Sequence, residues 1–200
     1  MDRKQALVVN LIGGPCSGKS TIAAELFARL KKMGIRCELV TEYIKERIYE
    51  ENKTIPLNQI AVFGMEHYSI WNKIEKVDVI VHDGSLINNV IYKHEDNKEF
   101  DELIISEYKK FNNLDFFIKR GNIEFETYGR IHTLEESKKL DYKILDTYHK
   151  YNLNFIEVES RDAVDKIIPI IVTIVLFLFI FKCLIVSLFK IFIIILPSHH

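Results

Sequence analysis

The chain has 200 residues, with 27 Lys and Arg against 28 Asp and Glu, a formal charge of −1 and a mean hydropathy of +0.03. Near-zero charge excludes a nucleic-acid binder that relies on a broad basic face, so no nucleic-acid polymer is expected as a partner. Cys16, Cys37 and Cys183 share no metal-ligand or disulfide spacing, which excludes a metal-stapled or disulfide-framed module and points to reduced thiols in a cytosolic compartment.

Residues 1–5 carry no signal-peptide pattern and lead into an apolar run at 6–12 that reads as a buried strand. Gly13-Gly14-Pro15-Cys16-Ser17-Gly18-Lys19-Ser20-Thr21 follows and satisfies G-x-x-x-x-G-K-[ST], the phosphate-binding loop of P-loop NTPases. Ile22, Leu26 and Leu30, with Ala23 and Phe27 beside them, then mark a helix that Gly34 ends. Strand, glycine loop and helix are what phosphate binding requires. Loop N–H groups converge on the phosphates, and the helix N-terminus adds the positive end of its dipole. Lys19 is expected to neutralise the outer phosphates and the Ser20 hydroxyl to hold Mg²⁺, whereas Thr21 is the weaker candidate, suited equally to capping or packing.

Residues 35–40 read as a second strand, with Thr41-Glu42-Tyr43 at its end and a short charged helix to Glu50. A long helix from Leu57 carries Ile60, Phe63, Gly64, His67, Ile70, Trp71 and Ile74 on one broad face. The third strand is 77–81, and Asp83-Gly84-Ser85 leaves its end. A helix at 86–92, a polar loop at 93–99 and a helix through Phe100, Leu103, Ile104, Tyr108 and Phe111 precede a fourth strand at 114–119. A charged loop covers 120–132, and Thr133-Leu134-Glu135-Glu136 is a capping box that opens a helix through Leu140, Ile144 and Tyr148. Residues 155–158 make the fifth strand, and Ser160 reads as the cap of a last helix.

Strands alternating with helices predict an α/β fold: a five-stranded parallel sheet with helices on both faces, followed by an apolar C-terminal helix. Ligands of such sheets bind beyond the C-terminal strand ends, where the phosphate loop, Glu42 and Asp83 all fall. Asp83 is read as a Mg²⁺ ligand in preference to a turn or cap residue, because a phosphate loop needs a metal partner. Glu42 reads equally as a group that orients an acceptor hydroxyl and as a helix cap. Tyr43 and Phe63 offer rings for stacking, though core packing suits Phe63 better. Arg120 and Arg130, and to a lesser degree Lys119, are candidates to stabilise charge on a phosphoryl group in transfer. His67 and His82 receive no role.

Taken together, the loop at 13–21, Thr41-Glu42-Tyr43, Gln59, the run at 77–86, Phe117-Ile118-Lys119-Arg120 and Gly129-Arg130 resemble the NadR-type P-loop ATPase/kinase family over about residues 5–166. That family includes nicotinamide-riboside kinases and small phage nucleotide kinases. The resemblance implies a nucleoside-monophosphate-kinase-like fold with an arginine-bearing lid. It implies an ATP–Mg²⁺ site at Lys19, Ser20 and Asp83, an acceptor side at Glu42, Tyr43, Gln59 and Phe63, and lid arginines at Arg120 and Arg130. The expected activity is transfer of the γ-phosphoryl group of ATP to a nucleoside, nucleotide or related ribosyl acceptor. The alternative is a membrane-anchored nucleotide-binding ATPase or regulator without a small-molecule acceptor. For a GTP switch, Asn72-Lys73-Ile74-Glu75 and Asn97-Lys98-Glu99-Phe100 are near misses to the guanine motif only.

The expected organisation is a P-loop domain at 1–166, a membrane-spanning tail at 167–196 and a short polar end at 197–200. The tail is almost wholly Ile, Leu, Val and Phe, broken by Pro169, Thr173, Lys182, Cys183, Ser187 and Lys190, and exceeds the ~20 apolar residues a helix needs to cross a bilayer. A buried core helix rarely stays apolar on all faces for so long. The expected location is the cytosolic face of a membrane through a single-pass tail anchor. It becomes the cytoplasm if the tail is a misread stretch of AT-rich DNA.

Overall fold

The computed structural model describes residues 5–50, 54–55, 58–93, 96–121 and 133–195. The chain divides into two compact units, Met1–Val164 and Asp165–His200. The first unit contains β1 (Leu7–Ile12), α1 (Lys19–Lys32), β2 (Cys37–Val40), α2 (Tyr43–Tyr49), α3 (Gln59–Trp71), β3 (Val79–His82), α4 (Asn88–Tyr92), α5 (Lys98–Tyr108), β4 (Asn112–Lys119), α6 (Leu134–Lys150) and β5 (Ile156–Glu159). The second is formed by the long helix α7 (Ala163–Ile195), whose first residues belong to the first unit.

All five strands are parallel, in the order β2-β3-β1-β4-β5. β1 lies at the centre, and all six of its residues are buried. A strand covered on both faces reads as a continuous apolar run, which is why residues 6–12 show no alternation. Ala6, Val8, Ile12, Ile80, Ile104, Phe117 and Ile144 join one hydrophobic core. Because every strand points the same way, the turns after β1, β2, β3 and β4 emerge at one edge of the sheet.

Several element boundaries differ from the sequence expectation for identifiable reasons. β3 starts at Val79, two residues later than expected, and just before it the Asp78 carboxylate accepts both 3.0 Å bonds of the Arg36 guanidinium. The long helix opens at Gln59, capped by the Asn58 side chain on the Ala61 N–H at 3.1 Å. Its buried stripe is Val62, Phe63, Glu66 and Ile70, whereas Ile60 and Trp71 of the expected apolar face are exposed. The pattern failed there because one buried position holds a carboxyl group. α6 opens with the expected capping box of Thr133 and Glu136. Ser160 is not the cap of the last helix; its hydroxyl accepts the Gly121 N–H at 3.2 Å, closing the turn beyond β4 onto the end of β5.

Candidate active site

The phosphate loop joins β1 to α1 at the C-terminal edge of the sheet. Gly18 stands at the N-cap of α1 with φ 92°, a left-handed value that favours glycine, and no side chain caps the helix. Orphan N–H groups of the first turn are thereby available to an anion. Lys19 folds back over its own loop, donating to the Gly13 and Gly14 carbonyls at 2.7 and 2.9 Å. Gly13, Gly14, Cys16 and Ser17 are buried, Pro15, Gly18 and Ser20 half-buried, and Thr21 is exposed. The Ser17 hydroxyl is buried without a hydrogen-bond partner among the described residues.

From its outer side the loop is held by α6. Ser137 Oγ donates to the Pro15 carbonyl at 2.5 Å, and Asp141 Oδ1 accepts the Gly14 N–H at 2.5 Å. The approach is close: a Cβ on Gly14 would lie 2.5 Å from the Ser137 carbonyl oxygen. The other oxygen of Asp141 accepts from Arg120 Nη2 at 2.9 Å. Arg120 therefore sits beside the loop, and its Nε and Nη1 are buried without partners among the described residues. Arg130 lies outside the described residues. Lys119 is turned away into an exposed ion pair with Glu157 at 2.5 Å. Ser137 and Asp141 were invisible as site residues in the sequence, because they lie more than a hundred positions from the loop they contact.

Asp83 follows β3 directly and is 4% exposed, yet its Oδ1 has no hydrogen-bond partner among the described residues. It does not cap the next helix; the nearby backbone bond goes from the Ile87 N–H to Ser85 Oγ at 3.3 Å. An orphan buried carboxylate oxygen is a fitting ligand for a hard divalent cation. Among the described residues no three His, Cys, Asp or Glu side chains could chelate a metal by themselves. A cation held here by Asp83 and the Ser20 hydroxyl would need phosphate oxygens to complete its shell, as Mg²⁺ commonly does.

Beneath Asp83 lies a buried polar web. Asn10 Nδ2 donates to Asn113 Oδ1 at 3.0 Å and to Asp115 Oδ1 at 2.7 Å. Asn10 Oδ1 is thus the acceptor, and His82 Nδ1, 3.0 Å away, carries the proton. Burial drops the His82 pKa to about 4, so the ring is neutral. Tyr108 and Tyr148 donate to Asp115 Oδ2 at 2.6 and 2.5 Å, and Tyr148 also reaches Ser85 Oγ at 3.0 Å. Burial pushes the Asp115 carboxyl up to about 6 while these donors pull it back.

On the other flank, Glu42 is half-buried at the end of β2. Tyr43 opens α2, with the Arg47 guanidinium 5.1 Å from its ring centroid. Gln59 is half-buried at the start of α3. Phe63, expected among the acceptor-binding residues, instead belongs to the core, 7% exposed and edge-on to Phe100 at 5.8 Å. His67 packs its ring near Phe63 and Phe111 and pairs with Glu107 at 3.3 Å. A residue the sequence did not single out is Glu66, 5% exposed, whose Oε2 accepts from Asn89 Nδ2 at 2.8 Å. Burial pushes its carboxyl up to about 8, opposed by the Asn89 bond, reinforced by the Glu42 charge and eased by the Tyr43 backbone N–H. Glu66 therefore joins α3, α4 and the start of α2.

The family model of an AAA domain matches residues 8–166. None of the curated proteins compared matches the chain. Among solved structures, the crystal structure of APE1195 is similar over 86% of this chain and 98% of its own, with 16% identity and a TM-score of 0.43.

Proposed function

The chain belongs to the AAA domain family, and on that premise we propose that it is an ATP-dependent small-molecule kinase. The reading rests on one observation above the others. The phosphate loop, a Glu42-Tyr43 segment and Arg120 stand at the same sheet edge, with Arg120 joined to the loop through Asp141. Glu42 and Tyr43 lie outside the phosphate loop, where a hydroxyl and a ring of an acceptor could be met.

In this mechanism the loop N–H groups hold the ATP phosphates, and Lys19 leaves the Gly13 and Gly14 carbonyls to neutralise the outer ones. Mg²⁺, held by Ser20 and Asp83 when bound with ATP, would supply further neutralisation of the developing charge. Arg120 keeps one bond to Asp141 and turns its two buried unpartnered nitrogens, Nε and Nη1, to the nucleotide. Glu42 orients an acceptor hydroxyl or takes its proton, and Tyr43 stacks on the acceptor ring. The acceptor is a nucleoside, a nucleotide or a related ribosyl compound.

The test is phosphoryl transfer from labelled ATP by the purified chain to nucleosides, nucleoside monophosphates and nicotinamide riboside, against an acceptor-free control. A labelled product with one acceptor class is expected. Slow release of inorganic phosphate whatever the acceptor would favour the second reading, a membrane-anchored ATPase or regulator. What supports that second reading is α7, whose Ala163–Ile180 window has a mean hydropathy of 2.5 and is long and apolar enough to cross a membrane.

A further inference from the structure

Lys45, on the helix that Glu42-Tyr43 opens, sends its ammonium to the phosphate loop. Its Nζ lies 3.2 Å from Ser20 Oγ, and both residues are half-buried. Ser20 is also the hydroxyl that Mg²⁺ would take together with Asp83, whose Oδ1 is buried without a hydrogen-bond partner among the described residues. One hydroxyl cannot serve both cations. A Mg²⁺–oxygen distance of about 2.0–2.1 Å would put the metal well inside the distance at which it repels an ammonium bonded to the same oxygen. The lysine must leave Ser20 when the metal arrives with its nucleotide. Its four-carbon stem is flexible and its three donors rotate freely. The strongest new anion for it to meet would then be the terminal phosphate of a nucleotide bound by the loop.

We propose that Lys45 is a second phosphate-contacting lysine: it occupies Ser20 in the nucleotide-free protein and passes to the terminal phosphate of the bound triphosphate when Mg²⁺ takes its place. That contact would come from α2, whereas Lys19 belongs to the loop itself. It makes the position of the acceptor-side helix depend on whether a third phosphate is present. The inference rests on the phosphate-loop reading of Ser20, and on neither the kinase activity nor the acceptor.

Equilibrium binding of fluorescent ATP and ADP analogues to the full chain, with Mg²⁺ and with EDTA, tests it in Lys45→Met, Lys45→Arg and Lys19→Ala variants. Loss of one charge-assisted contact to the terminal phosphate should weaken ATP about tenfold in Lys45→Met and leave ADP within about twofold. The Mg²⁺ concentration that half-saturates ADP binding should fall in the same variant, because the competing cation is gone. Lys45→Arg should keep the ATP preference. Equal effects on ATP and ADP, or none, in a variant series where Lys19→Ala still abolishes binding would overturn the Lys45 assignment alone. Unaltered binding in Lys19→Ala, or none in the unmodified chain, would overturn the phosphate-loop reading with it.

Discussion

At the scale of single residues, the phosphate loop holds its own lysine. Lys19 bonds two carbonyls of its own turn, so Lys19→Ala removes the charge without opening the core. Phosphoryl transfer should fall at least a hundredfold while the circular dichroism spectrum is kept. Asp83→Asn replaces a carboxylate with an uncharged amide of the same shape. It should raise the Mg²⁺ requirement of catalysis and cut turnover more than ATP affinity; an unchanged Mg²⁺ titration would remove Asp83 from the metal site. Asp141 serves two donors, the Gly14 N–H and the Arg120 guanidinium, from one side chain. Asp141→Ala leaves a charged group and a backbone donor buried without partners. Nucleotide affinity should drop ~10-fold and thermal stability with it, whereas Asp141→Asn should restore most of the stability but less of the affinity.

At the scale of elements, Glu66 sets a pH dependence. Its folded-state pKa is raised from the ordinary 4.5 to about 8, so the folded protein holds a proton there that the unfolded chain releases. Stability should therefore fall as pH rises through that window. Glu66→Gln keeps an acceptor for Asn89 and removes the titration. Its melting temperature should exceed that of the unmodified protein by ~3–6 °C at pH 8, with the two converging near pH 5. Parallel melting curves across the range would show that Glu66 is not the group responsible. The same residue marks where sequence reading stops. The loop motif, the capping box of α6 and the run of β1 could be read in the sequence because their physics is local. Glu66 lies on a mostly apolar helix, and its partner Asn89 is 23 positions away. Asp141 looks like an ordinary surface acid of an amphipathic helix until α6 is laid against the loop. Phe63, whose chemistry also suited stacking, was read as better suited to core packing, and it lies in the core at 7% exposed.

At the scale of the whole molecule, alternation of strands and helices was enough to expect five parallel strands, but not their order, because β1 pairs with β3 and β4 across long stretches of chain. The chain divides into two compact units at Val164–Asp165. In α7, Leu176, Phe177, Leu178, Phe179 and Ile180 are all exposed, and five consecutive residues occupy every side of a helix. A helix apolar all round calls for a lipid or protein surrounding. If lipid supplies it, the full chain should resist carbonate extraction from membranes. Residues 1–166 should stay in the soluble fraction and still bind nucleotide. Recovery of the intact full chain, tail included by mass spectrometry, in the soluble fraction would exclude the anchor.

The buried web around Asn10 has a consequence for how the sheet assembles. A central strand that is apolar on both faces could slide by two residues along its parallel neighbours and still bury every side chain. Asn10 removes that freedom, because it stands level with His82 on one side and with Asp115 on the other and bonds to both. In a slipped alignment Asn10 and His82 would lose these buried bonds, and Asp115 would lose the Asn10 donor while keeping those of Tyr108 and Tyr148. Specificity of alignment, more than strength of attachment, is what a polar cluster in the middle of a greasy sheet contributes. It also fixes the level at which Asp83 emerges beside the phosphate loop.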